Sequence, residues 1–200
     1  MLAKGAVVKK IFLVFLLLFF GLSGCSYKNT SLSIEPYKVN FLSFNSVNRS
    51  IFIDSIEDKR AHKNIVAVIT NNNGDNLGYK TTQSDFVLWY KNALEKALKA
   101  NGFKVAISKK SADLSIKLYI KKILVTFNKD ILTKENLTGN ISLILVIKEG
   151  KDTITKKISE NISKYNGLTV SDETFTKEIK ILLDDSIRLI VKNLLDNTIY

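Results

Sequence analysis

The sequence offers few side chains that could act as a nucleophile, a base or a metal ligand. It has one cysteine, Cys25, and one histidine, His62, in 200 residues. A disulfide needs two thiols, and a zinc site needs several thiol or imidazole ligands, so neither is expected within this chain. His62 has no serine or cysteine beside it, and we interpret it as a surface residue of a loop.

Paired carboxylates are the other groups that could perform acid–base chemistry. Asp184 and Asp185 are adjacent in a helical pattern, where neighbouring side chains point to different faces, so they are interpreted as solvated surface. Asp58 and Arg60 are two residues apart at a predicted strand end, which puts both on one face if the strand continues. Two interpretations stay open: a ligand-binding pair, or a structural pair in which Asp58 caps a turn and Arg60 is paired across the sheet edge.

Motifs that bind phosphates or carry catalytic groups do not occur in the sequence. There is no P-loop, Rossmann fingerprint, G-x-S-x-G or H-E-x-x-H pattern. Gly74 and Gly78 lie in a polar loop without the flanking strand and helix that a phosphate cradle requires. We therefore predict that the protein is not an enzyme, with no catalytic residues, no metal and no cofactor.

Residues 1–24 have the composition of an export signal. Three lysines stand near the start, and an unbroken apolar run covers residues 11–20. An uncleaved anchor helix is the alternative, but the run is shorter than the ~20 residues that a membrane-spanning helix needs. We predict that residues 1–24 are a cleaved signal peptide.

The residues that close this segment, Leu22-Ser23-Gly24-Cys25, resemble the lipobox of bacterial lipoproteins. The resemblance implies that the Cys25 thiol carries diacylglycerol, that the leader is cut before it, and that the new amine is acylated, typically with palmitate. Because position 26 is serine rather than aspartate, the resemblance further implies transfer to the outer membrane, with the domain facing the periplasm. Two or three acyl chains, at ~0.8 kcal/mol per buried methylene, make such attachment effectively permanent.

The net charge is strongly positive, formally +11. Three of the 30 basic residues and none of the 19 acidic ones lie in the leader, so the mature chain keeps about +8. This charge would attract an anionic membrane face or cell-wall polymer. The alternative, a solvated lysine-rich surface, is favoured because the lysines are scattered. Export removes the protein from nucleic acid, which we do not expect as a partner.

The mature chain divides into a short leading segment and one domain. Residues 25–47 are predicted to be the lipidated N-terminus and a flexible tether, whose root-mean-square reach would be roughly 25 Å. Residues 48–200 are predicted to form a single domain, since domains commonly contain ~100–200 residues.

The first half of the domain is predicted to contain two strands and a helix. β-Branched runs over residues 49–54 and 64–70 are typical of strands, and the Asn-rich run 71–76 of a loop. Ser84 is a candidate N-cap for a helix that ends at Asn101-Gly102.

The second half is predicted to contain three strands and a helix. Apolar residues alternate from Leu114, and the phase slips at Lys121-Lys122, which predicts a β-bulge. Strands over 141–147 and 153–162 follow, and an amphipathic helix over 172–197 closes the chain. The predicted fold is α+β: an antiparallel sheet, element order ββα–βββ–α, with two helices packed on one face.

Several local patterns resemble the YajG-type family of uncharacterised lipoproteins. They are Asp58-Lys59-Arg60 after the first strand, Leu94-Glu95-Lys96 followed by Asn101-Gly102-Phe103 at the helix end, the strand Leu114–Val125, and the closing helix. The resemblance spans roughly residues 48–198. It implies an outer-membrane lipoprotein domain without established catalytic residues.

The functional prediction is a lipid-anchored, non-catalytic binding or scaffolding domain in the cell envelope. Its expected partners are the membrane, through the lipid at Cys25, and an envelope protein; the oligomeric state is left open. One alternative is an accessory lipoprotein of a lipid or lipopolysaccharide transport complex. Another is a cell-wall-active enzyme, which is disfavoured because no set of nucleophile, base and orienting group can be assembled.

Overall fold

The computed structural model describes residues 29–42, 47–132 and 134–196. The predicted signal peptide and the predicted lipidation site at Cys25 lie outside these residues. Within the described chain, no helix is long and apolar enough to cross a membrane.

The described residues form eight strands and two α-helices, with a short 3-10 helix at Lys109–Ser111. The strands are β1 Thr30–Leu32, β2 Ser50–Asp58, β3 Ile65–Thr70, β4 Asn76–Thr82, β5 Lys104–Val105, β6 Leu114–Asn128, β7 Leu137–Glu149 and β8 Asp152–Lys164. The helices are α1 Phe86–Ala100 and α2 Asp172–Asp196.

All eight strands belong to one mixed sheet, and β6 organises it. β7 pairs with β6 in antiparallel fashion along nearly its whole length, and β8 pairs with β7. On its other side β6 pairs with two strands in succession: β2 runs parallel to residues 114–120, and β3 runs parallel to residues 125–128. β5 flanks β2, and β4 and then β1 flank β3.

The α+β class and the two helices are confirmed, but the purely antiparallel sheet and the element order need correction. β2 and β3 are both parallel to β6, because α1 returns the chain to the starting end of β2 before β6 begins. The prediction also missed β1 and β4. β4 is rich in threonine and contains Gly78, so it lacks the apolar run that marked the other strands.

The inner face of the sheet and the two helices enclose the core. α1 buries one stripe, including Phe86, Tyr90 and Leu94, against β2 and β5, and α2 buries its own stripe against β6, β7 and β8. The helices are joined by a hydrogen bond of 2.8 Å between the buried hydroxyls of Tyr90 and Ser186. The N-cap of α1 is Asp85 rather than the predicted Ser84, and its carboxylate accepts from two backbone N–H groups of the first turn.

The outer face of the sheet is not covered by either helix. Along β6 and β7 the buried residues alternate with half-buried ones, and the latter form this face. The predicted bulge in β6 is confirmed, because the pairing with β7 slips between Ile120 and Lys122. A one-residue slip keeps the apolar residues on the inner face on both sides of the bulge.

The described part of the predicted tether, residues 29–42, packs on the body. β1 pairs with β4, and the Thr82 hydroxyl donates to the backbone oxygen of Leu32 over 2.8 Å. Tyr37 is buried and contacts Trp89 edge to face, and the Trp89 indole donates to the Glu35 carbonyl over 2.9 Å. Residues 29–42, which fall within the predicted tether, therefore contact the folded body.

Candidate functional site

A crevice lies where β2 ends and β3 begins along the edge of β6. The pairing of β2 with β6 ends at Asp58 opposite Ile120, and the pairing of β3 begins at Ala67 opposite Val125. Residues 121–124 of β6 therefore have no strand partner on this edge. The connecting residues 59–64 bridge the gap beside them and leave a cavity of about 490 Å³, called here the junction crevice.

Asp58 and Arg60, the pair singled out in the sequence, meet at this junction. The guanidinium donates from Nε to Oδ1 over 2.9 Å and from Nη2 to Oδ2 over 2.7 Å, which is a bidentate pair. The backbone N–H of Arg60 also donates to Oδ1 over 3.1 Å. Both side chains are largely buried, with exposed fractions of 10% for Asp58 and 5% for Arg60.

Arg60 also ties the connection between β2 and β3 to the helix layer. Its Nη2 donates to the Lys63 carbonyl, and its guanidinium carbon lies 4.6 Å from the centre of the Phe86 ring on α1. That stacking is a cation–π contact, which favours a guanidinium in a largely desolvated position. Nη1 is buried and has no hydrogen-bond partner in the part of the chain that the structure describes.

The electrostatics of the pair follow from this geometry. Burial acts to raise the pKa of the Asp58 carboxyl, but the hydrogen bonds and positive charge of Arg60 outweigh it and hold that pKa below its usual value. Asp58 therefore stays ionised at neutral pH, and its charge is cancelled by Arg60. A carboxylate committed in this way is poorly suited to act as a general base.

The structure thus brings the predicted pair together, by a different route from the one assumed in the sequence. β2 ends at Asp58, so Arg60 is outside the strand and the two-residue period of a strand does not align them. The turn between them does so instead, because the Asp58 carboxylate accepts from the backbone two residues on. Through Arg60, the pair forms part of the wall of the junction crevice. The two side chains neutralise each other, so neither charge is available to a ligand.

The remaining lining of the junction crevice is basic and apolar. Lys121, Lys122 and His62 supply basic groups, and no aspartate or glutamate lines the cavity. Both lysines are exposed, and within the described ranges neither forms an ion pair. The apolar part of the lining is contributed by Ile65, Val68, Ile123 and Leu124.

The sequence identified Lys121-Lys122 only as a bulge and missed both residues as part of a site. A bulge turns successive side chains away from strict alternation, so two neighbouring lysines can both stay in solvent beside the gap. The signal in the sequence that could have indicated this site is the shift in the apolar alternation at two adjacent basic residues. His62 also lies at this crevice, although the sequence marked it only as a surface residue.

One crevice residue also contacts the beginning of the described chain. Tyr79 of β4 lines the cavity, and its backbone N–H donates to the side-chain oxygen of Asn29 over 2.9 Å. Asn29 is four residues after Cys25 in the sequence. The junction crevice therefore lies close to Asn29, the first described residue after the predicted lipidation site.

The other candidate carboxylates do not line this crevice and have separate partners. Asp184 pairs with Lys180, and Asp185 pairs with Arg188 over 3.0 Å. Burial, together with the neighbouring Asp185 charge, raises the pKa of Asp184 in spite of Lys180. Within residues 29–42, 47–132 and 134–196, no group of three or more His, Cys, Asp or Glu side chains could hold a metal ion.

A second cavity lies between residues 34–37 and α1. Its volume is about 540 Å³, and Tyr37, Leu88 and Trp89 form part of its lining. Charges of both signs surround it, from Asp85 and Glu95 on one hand and from two lysines of α1 on the other. This mixture selects no particular ligand charge, so the junction crevice is the stronger candidate site.

Comparison with solved structures supports the fold. A crystal structure of an uncharacterised protein has a TM-score of 0.51 and 12% sequence identity, over 84% of this chain and 99% of that chain. The crystal structure of protein XCC0632 from Xanthomonas campestris, of the DUF330 family, has a TM-score of 0.55 and 9% identity, over 84% and 97% of the two chains. At these identities the likeness concerns the fold alone.

Comparison with family sequences confirms the predicted YajG-type resemblance. No curated protein matches the chain. Residues 42–196 match a family described as "Uncharacterized lipoprotein". The matched region contains both helices and every strand of the sheet except β1. The chain belongs to this family of uncharacterised lipoproteins.

Proposed function

We propose that the protein is a non-catalytic binding domain, held by a lipid on Cys25 at the periplasmic face of the outer membrane. The observation that carries the proposal is the short distance in sequence between the lipobox-like motif and the packed body. Only residues 26–28 separate Cys25 from Asn29, which is hydrogen-bonded to β4. Membership of a lipoprotein family supports the same reading.

The charged groups of the body support binding rather than catalysis. The most buried ones pair with each other: Asp58 with Arg60, and Lys80 with Asp172 over 2.7 Å. Glu178 is likewise paired with Lys164. An acid–base catalyst needs a group that can contact substrate, whereas the charged groups of these pairs contact each other.

The lipid attachment can be tested by replacing its acceptor. Cells expressing the wild-type chain or Cys25→Ser would be fed an alkyne-bearing palmitate, and the protein would be examined for label, mass and membrane fraction. We expect the wild type to carry label and to sediment with outer membranes, and Cys25→Ser to carry none and to keep its leader. Label on Cys25→Ser, or an unlabelled soluble wild type, would contradict the proposal.

The membrane assignment has its own test and a matched control. Ser26→Asp restores the residue that, by resemblance, retains such lipoproteins at the inner membrane, whereas Ser26→Ala does not. We expect Ser26→Asp to shift the protein to the inner-membrane fraction and Ser26→Ala to leave it in the outer-membrane fraction. The same distribution for both variants would remove the argument for the outer membrane.

An accessory role in a lipid or lipopolysaccharide transport complex is the second candidate. The junction crevice favours it, because the cavity combines basic and apolar groups as a lipid site would. A photo-crosslinking residue at position 124, in the crevice, would be compared in intact cells with one at position 155, on exposed β8. Reproducible capture of a transport subunit from position 124 alone would support this candidate, and capture of no protein from position 124 would count against it.

A further inference from the structure

The position of Asn29 limits how far the body can stand from the membrane. A fully extended chain spans at most ~3.6 Å per residue, so the four steps from Cys25 to Asn29 cover ~14 Å. Asn29 is held at β4 by its hydrogen bond to Tyr79. If Cys25 carries the lipid, as proposed above, the edge of the sheet near Tyr79 must lie beside the lipid head groups.

Tyr79 connects this constraint to the junction crevice, since it is also part of the crevice lining. Its side chain is 38% exposed on the outer face, where it pairs across the strands with Val68. A tyrosine with an apolar ring and a polar hydroxyl is well suited to the boundary between water and acyl chains. The anchor and the crevice therefore belong to the same side of the body.

The lining of the junction crevice carries a net positive charge. Arg60 is neutralised by Asp58, and the neighbouring Glu57 is paired with Lys59 over 2.6 Å. Lys121 and Lys122 remain, with no acidic residue in the cavity lining. A lysine close to an anionic lipid surface strengthens attachment by ~1 kcal/mol, which is about fivefold in an equilibrium constant.

We propose that the junction crevice binds the phosphate head group of an anionic lipid in the membrane that holds the anchor. Lys121 and Lys122 pair with the phosphate, and Tyr79, Val68 and Leu124 contact the adjoining glycerol and upper acyl region. The lipid on Cys25 fixes the body at the surface, and this second contact sets its orientation. The proposal rests on the proposed lipidation, and it adds a defined ligand class and a defined face.

The first test measures the exposure of individual lysines on the membrane. The mature lipidated protein would be placed in vesicles of phosphatidylcholine, with or without phosphatidylglycerol, and treated with an amine-acetylating reagent. We expect the acetylation rate of Lys121 and Lys122 to fall about fivefold when phosphatidylglycerol is present. The control is Lys156-Lys157, an adjacent pair on β8 that lies outside the crevice and should keep its rate.

A second measurement follows the backbone instead of the acetylation of the lysines. Hydrogen exchange of residues 59–64 would be followed in the same vesicles for the wild type, for Lys121→Gln/Lys122→Gln and for Lys156→Gln/Lys157→Gln. We expect phosphatidylglycerol to slow exchange in the wild type and in the β8 variant, but not in the crevice variant. The two variants lose the same charge, so a difference between them reports the site rather than the net charge.

Three outcomes would overturn the proposal. One is an equal acetylation rate of Lys121 and Lys122 on both kinds of vesicle. Another is an equal loss of hydrogen-exchange protection of residues 59–64 in both double variants, which would mean that the basic protein is attracted to the anionic surface without a specific site. The third is full protection by inorganic phosphate on phosphatidylcholine vesicles, which would identify a soluble anion as the ligand. Flotation with the vesicles of phosphatidylcholine alone distinguishes these outcomes from failure of the lipid anchor, because an unlipidated protein would not float with them.

Discussion

The two faces of the sheet are built from the same strands but have different surroundings. On the inner face, Leu145 and its neighbours are fully buried under α2, whereas Val146 and the other half-buried residues of the outer face have no helix over them. The faces meet at the junction between β2 and β3, where Arg60 contacts α1 and also lines the junction crevice. Stability is therefore expected to depend on the inner face, and the proposed lipid binding on the outer face.

The largest effect is expected where the two faces meet. Arg60→Met removes the partner of a largely buried carboxylate, and breaking such a pair typically costs about 3–5 kcal/mol. The double variant Asp58→Asn/Arg60→Met should lose less, because no unpaired charge remains. Urea unfolding of both single variants and the double variant measures this coupling. Strictly additive losses would show that the two side chains contribute independently.

Neighbouring aliphatic residues on β7 compare the faces directly. Leu145→Ala on the inner face should lower the free energy of unfolding by about 3 kcal/mol, because it leaves a cavity in the core. Val146→Ala on the outer face should lower it by about 1 kcal/mol, since that side chain is already partly in contact with water. Urea unfolding checks both values. Equal losses would indicate that the outer face is also packed in solution.

A tight contact between the sheet and α2 gives the next prediction. A Cβ atom added at Gly139 would lie 2.7 Å from Ile162 Cγ1 and 2.9 Å from Leu182 Cδ1. Gly139→Ala should therefore cost about 1–3 kcal/mol through overpacking. Thr138→Ala, on the exposed side of the same strand, is the control and should change stability by less than about 0.5 kcal/mol. Thermal unfolding of the two variants tests the difference.

The smallest expected effect is a loss of folding stability at acidic pH. Because the pKa of Asp58 is lowered in the folded protein, its contribution to stability is complete above the unfolded-state pKa of about 3.9 and disappears as pH falls through the folded-state pKa. The wild type should thus lose more stability between about pH 5 and pH 3 than Asp58→Asn/Arg60→Met does. Urea midpoints measured across this range provide the check. Parallel losses would assign the acid sensitivity to other carboxylates.

Much of the fold was accessible from local sequence pattern. The alternation from Leu114 to Phe127, with its slip at Lys121-Lys122, predicted a bulged strand because strand periodicity is a property of adjacent residues. The helix stripes were equally visible. The parallel pairing of β2 and β3 with β6 was not, because local alternation does not record the direction in which the chain returns.

The candidate site was less accessible for the same reason. Asp58 and Arg60 are near in sequence, and their association could be anticipated. The crevice around them is formed by the β2–β3 connection, β4 and the bulge of β6, and only the tertiary structure brings these together. The docking of residues 29–42 was also hidden, because Tyr37 is isolated in a polar segment and its aromatic partner Trp89 is distant in sequence.

The attachment of β1 to β4 has a mechanical consequence. A pull on the chain ahead of Asn29 reaches the body first through a three-residue strand at the sheet margin. The hydrogen bond between Asn29 and Tyr79, the hydrogen bond between β1 and Thr82, and the buried ring of Tyr37 would carry this load before β6 or the helices do. If the proposed lipid holds Cys25, tension from the membrane would therefore load a peripheral three-residue strand before the central sheet.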